Sequence, residues 1–89
     1  MTLNQRAVAI ANPLAQQILK TNQPLPTAVI DRVADNAASM TQDQRDDAWW
    51  ALSAVVEEAE ETGAAVARAN AETLRSVIRT ANQNDGIGS

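Results

Sequence analysis

The stretch from Thr41 to Asn82 constrains this chain most, because its apolar residues recur at the period of an α-helix. Projected at about 100° per residue, Ala48, Leu52, Val55, Val56, Ala59, Gly63, Val66, Asn70, Leu74, Val77 and Ala81 fall within about 60° of one line. Asp43, Asp46, Asp47, Glu57, Glu61, Arg68, Glu72, Arg75 and Arg79 mark the opposite face. Thr41 and Gln44 have the spacing of a capping box, and the aspartates that follow favour a helix start through the dipole. Gly63 is the weak point, since glycine costs about 1 kcal/mol relative to alanine inside a helix. The stripe nevertheless keeps its phase through Gly63, which predicts one helix over 42–82.

Prolines punctuate the segment before it. Thr2 can cap a helix over 3–11, and Asn12-Pro13 restarts the chain as a helix over 13–20, with Asn as cap and Pro at the first helical position. Pro24 and Pro26 stiffen a connection, after which Val29, Ile30, Val33, Ala34 and Ala37 predict a helix over 26–39. The reading is all-α: a single domain over 1–82, built as a helical hairpin or small bundle with one long C-terminal helix. The polar residues 83–89 read as a flexible tail.

A chain of 89 residues builds a small core, and this one has no cysteine or histidine to staple it and only two aromatic residues. Self-association is the remaining staple. A helix of about 40 residues spans about 60 Å, more than the shorter helices can cover. The expected cover is a second copy in a coiled-coil-like homodimer, through Ala59, Gly63, Val66, Ala67, Asn70, Ala71, Leu74, Val77 and Ile78. Ala59, Gly63, Ala67 and Ala71 form a ridge for close approach, and a lone Asn70 on the seam can fix register across a two-fold axis. A hairpin within one chain is the competing reading of the same ridge, and a neighbouring hydroxyl or water the competing partner for Asn70.

Net charge is −4, and nine of the eleven acidic residues lie between 31 and 61. An acidic middle favours a protein partner with a basic surface and argues against direct nucleic-acid binding. Arg68, Arg75 and Arg79 line one face, but Glu72 stands among them without an aromatic platform. Trp49 flanks the apolar stripe and reads as core. Trp50 falls among carboxylates, and adjacent helix residues cannot share a face. Its alanine-rich surroundings (Ala51, Ala54) tilt the reading toward burial under the N-terminal helices. If exposed, Trp50 is the first candidate for a partner contact, ringed by Asp43, Asp46, Asp47, Glu57, Glu58, Glu60 and Glu61.

Catalytic chemistry has little to draw on. Cys, His and Tyr are absent, and no glycine-rich phosphate loop or cofactor motif is present, so neither catalysis nor a cofactor is expected. Glu57-Glu58-Ala59-Glu60-Glu61 holds two Glu-x-x-Glu pairs, the pattern with which all-helical nucleotide pyrophosphatases bind Mg²⁺. No downstream acidic pair completes it. The expectation is a cytoplasmic, homodimeric regulator or inhibitor of a larger machine that handles nucleic acid. Anti-CRISPR and antitoxin-like proteins are examples by class analogy alone. A structural assembly subunit and the Mg²⁺-dependent hydrolase are the alternatives.

Overall fold

The computed structural model describes residues 2–88, with side chains through residue 84. Among them the regular elements are five helices: α1 (Leu3–Ile10), α2 (Pro13–Leu19), α3 (Thr27–Ser39), α4 (Gln42–Thr62) and α5 (Ala65–Gly88). The all-α expectation holds. Local chemistry sets the boundaries. Thr2 with Gln5 and Thr41 with Gln44 each form a reciprocal capping box. Asn12 Oδ1 accepts from the Leu14 N–H at 2.9 Å, ahead of Pro13 at the first helical turn.

The single helix expected over 42–82 is two helices. Gly63 ends α4 in the left-handed conformation (φ 74°, ψ 20°), the only positive φ among the described residues. Its N–H and that of Ala64, the latter at 2.9 Å, both converge on the Ala59 carbonyl. This closes the α4 C-terminus as a left-handed glycine cap. The chain then turns within two residues, and α5 folds back along α4 as a helical hairpin.

The buried faces also show the reset that the wide stripe conceals. In α4 the face toward α5 centres near Leu52, Val55 and Ala59, all buried. In α5 the buried residues are Ala67, Asn70, Ala71, Leu74 and Ile78, while Val66 is exposed. Their centre is advanced by roughly 80° at 100° per residue. A window of about 60° either side accommodates that slip without revealing it.

Helix α4 is the centre of the molecule. It packs against α5 on one side and against α1 and α2 on others, and α3 lies on α5. The whole measures 40 × 29 × 17 Å, so the longest dimension is well short of the expected single helix. The core joins Ala15 and Ile18 of α2, Ala37 of α3, Ala48, Ala51, Leu52, Val55 and Val56 of α4, and Ala71, Leu74 and Ile78 of α5. Full burial of Leu52, Val55, Leu74 and Ile78 stabilises by about 2 kcal/mol each. Their modest number fits a core in which alanine is the commonest residue.

Two polar side chains complete this interior. Arg45 is 1% exposed. Its Nε donates to the Ala37 carbonyl at 2.8 Å, Nη2 to that of Ala38 at 3.5 Å, and Nη1 to Asn82 Oδ1 at 3.4 Å. A guanidinium thus closes the C-terminus of α3, where its charge complements the dipole, and ties it to α5. Asn70 donates from Nδ2 to the Gln23 carbonyl at 3.0 Å and accepts at Oδ1 from the Leu25 N–H at 3.1 Å. It fastens the proline-flanked connection to α5 instead of pairing across a dimer axis. Past Ala81, the helix continues to Gly88 where a tail is expected from residue 83, and Asn82 is held by Arg45. Ser89 lies outside the described residues.

Candidate functional site

Trp50 is 57% exposed, so the burial favoured by its alanine-rich face does not occur. The N-terminal helices approach beside it without covering it. Between α1 and the first half of α4 lies an open groove of about 700 Å³, lined by Asn4, Gln5, Val8, Ala9, Ala11, Asn12, Asp47, Trp50 and Ala51. Val8 is 77% exposed and, with Trp50, gives the groove its apolar surface. Asp47 stands on the wall, Asp43 one turn before it, and Asp46 one turn before Trp50. All three aspartates are exposed. None makes an ion pair among the described residues; Asp46 only accepts from Gln42 Nε2 at 3.0 Å.

The glutamates further along α4 differ. Glu61 and Glu58 lie 2.9 and 3.8 Å from the Arg6 guanidinium of α1. Glu60 lies 3.4 Å from Arg68 of α5, which also reaches Glu72 at 3.3 Å. Arg6 is held above its ordinary basicity, first by the hydrogen bond to Glu61 and then by the surrounding charges of Glu61, Glu58 and Glu57, against partial desolvation. Of the acidic residues singled out in the sequence, the aspartates near Trp50 keep uncompensated charge. The run Glu57, Glu58, Glu60, Glu61 is largely answered from within the chain. Among the described residues no group of three or more acidic side chains could hold a metal ion. Glu58, Glu60 and Glu61 each reach an arginine of a neighbouring helix.

The residues expected at a dimer seam are mostly occupied internally. Ala59, Ala67, Asn70, Ala71, Leu74 and Ile78 are buried, Val77 is half-buried, and only Val66 and Gly63 are exposed. The ridge of small residues lets α4 and α5 approach within one chain, the reading that competed with the homodimer. Among the described residues, the greater part of the stripe is covered within one chain.

Trp49 packs against the core as its position implies, and α5 supplies an unforeseen cover. The guanidinium carbons of Arg75 and Arg79 stand 5.0 and 5.3 Å from its ring centroid, and Arg75 Nη1 reaches Ser53 Oγ at 3.3 Å. These arginines are engaged in cation–π contacts with their own chain. Sequence reasoning also missed α1 as a groove wall and Arg45 as a buried charge. The signal for Arg45 was present: it projects within about 20° of the Leu52 line, in the middle of the apolar face. Among the described residues no helix is long and apolar enough to cross a membrane. No family model, curated protein or solved structure matches this chain.

Proposed function

We propose that this chain acts by binding another protein, seating a basic segment of that partner against Trp50 in the α1–α4 groove. One observation carries the reading: a tryptophan 57% exposed, beside exposed Val8, with three uncompensated aspartates within one or two turns. Tryptophan supplies large contact area at small entropic cost, and a charged rim around an aromatic anchor is the build of an interface hot spot. Unpaired carboxylates select a partner of opposite charge and steer its approach. Proteins that handle nucleic acid present such basic surfaces, and a small acidic domain that occupies one would regulate or inhibit its owner. The carboxylates serve recognition in this reading, and no bond-making chemistry is assigned to them.

Affinity capture from the native host tests it, followed by rebinding of the captured protein after purification. The purified partner is expected to bind wild type, and to bind Trp50→Ala and Asp43/Asp46/Asp47→Asn at least about tenfold more weakly, the scale of an interface hot spot. Equal binding by all three chains would overturn the reading.

A further inference from the structure

Helix α1 has no buried residue, and its apolar Leu3 and Val8 are 74% and 77% exposed. Eight residues of helix are far below the length that is stable alone in water, so α1 depends on what it touches. It packs on α4, where Asp47 and Trp50 line the shared groove, Glu58 and Glu61 pair with Arg6, and spacings of three and four put Ala54 on the same face. Its groove residues meet Asp47, Trp50 and Ala51 at one end. At the other end its single cation, Arg6, is clasped by Glu61 and Glu58. Between them, Ala54 of α4 is fully buried yet stands outside the main core. Among the described residues the other polar tether is Gln16 Nε2 of α2 on the Ile10 carbonyl at 2.7 Å, beyond which the chain turns at Asn12-Pro13 into the anchored α2.

We infer that α1 is a displaceable arm occupying the binding face as an internal stand-in for the partner, with Arg6 in the place of a partner's arginine. This rests on the proposed protein-binding function and deepens it: the partner first meets Trp50 and the aspartates in the groove, and Val8 then leaves with α1 as the partner takes its place on α4. The partner class is then a helix with an arginine and a small apolar side that can lie on Ala51 and Ala54. Exchange of one arginine-bearing helix for the other keeps Glu58 and Glu61 paired and releases α1. A partner so bound meets five carboxylates in a row of turns (Asp43, Asp47, Glu57, Glu58 and Glu61), of which the resting chain already pairs Glu58 and Glu61 with Arg6. The short linkage makes α1 a strong competitor, since tethering sets an effective concentration of the order of millimolar.

Two measurements on the full chain test this. Hydrogen exchange is followed for wild type and Arg6→Gln in low and high sodium chloride. Amides of α1 are expected to exchange at least about tenfold faster in Arg6→Gln, with wild type approaching that rate at high salt and α4 and α5 unchanged, because an exposed ion pair is screened. Exchange of α1 insensitive to both changes would overturn the inference. The second uses a synthetic peptide of residues 2–12 as the probe, added in trans. It is expected to bind Arg6→Gln at least about tenfold more tightly than wild type, since the tethered arm no longer competes. Equal binding to both chains, or to neither, would overturn it. Partner binding insensitive to Trp50→Ala retires the proposed function instead, and leaves the exchange result standing on its own.

Discussion

Asn70 of α5 and Leu25 of the proline-flanked connection are joined through a side-chain oxygen that accepts the Leu25 N–H at 3.1 Å, 45 positions away in sequence. The same amide donates to the Gln23 carbonyl at 3.0 Å. One side chain thus satisfies a donor and an acceptor that the two prolines leave outside any helix. Asn70→Leu strips both partners in a partly buried setting. Its expected cost is about 1–3 kcal/mol in urea unfolding, with the sedimentation coefficient of wild type retained. A more stable variant with altered sedimentation would instead assign Asn70 to an interface between copies.

Gly63 gives a test whose sign decides the topology. In the left-handed conformation any Cβ is strained, although nothing lies within 4 Å of where it would stand. Gly63→Ala is therefore expected to destabilise by about 1 kcal/mol, read as a lower melting temperature. In an unbroken helix the same change would stabilise by a similar amount.

Arg45 closes α3 from inside α4, with its charge buried among carbonyls. Arg45→Met keeps much of the volume and removes every donor, so the carbonyls of Ala37 and Ala38 lose those bonds. Chemical denaturation should show a loss of about 3 kcal/mol. Arg45→Lys should recover only part of it, because an ammonium cannot span the positions that a planar guanidinium fork reaches. Full recovery by lysine would mean that charge alone matters there.

The clasp of Arg6 has a defined pH behaviour. A basic group whose folded value is raised contributes stability below its unfolded value and loses it only as pH rises through the folded one. For arginine both lie above the neutral and mildly alkaline range. Between about pH 7 and 10, exchange of α1 corrected for intrinsic amide rates should thus be flat, while added salt accelerates it. A loss of protection across that interval would assign the arm to some other titrating group.

Much of the architecture was legible because it is written in local chemistry. Two capping boxes, Asn12-Pro13 and the paired prolines fix helix boundaries through neighbours a few residues apart. The break at Gly63 was not legible from the stripe, since a two-residue turn shifts the phase by less than the breadth of an apolar face. Glycine at 63 fits either reading by residue type alone, costing about 1 kcal/mol inside a helix and favoured at a left-handed cap, so only its φ separates the two. Trp50 was legible as an anomaly, a large ring among carboxylates, but whether α1 covered it depended on long-range packing. The fate of the glutamate run likewise turned on Arg6 and Arg68, tens of positions from Glu58 or on the returning helix. Periodicity within one helix carries no information about such pairs.

The two tryptophans offer the most direct test of the binding face, because each contributes one indole N–H signal and they point to different sides of α4. Purified partner, or an arginine-bearing helical peptide derived from it, is titrated into the isotopically labelled chain and both indole signals are followed. The Trp50 signal should shift or broaden in step with binding, while that of Trp49, held beneath Arg75 and Arg79, stays in place. A partner that binds while perturbing Trp49 alone, or neither signal, would contradict the assignment of the α1–α4 groove as the site of function.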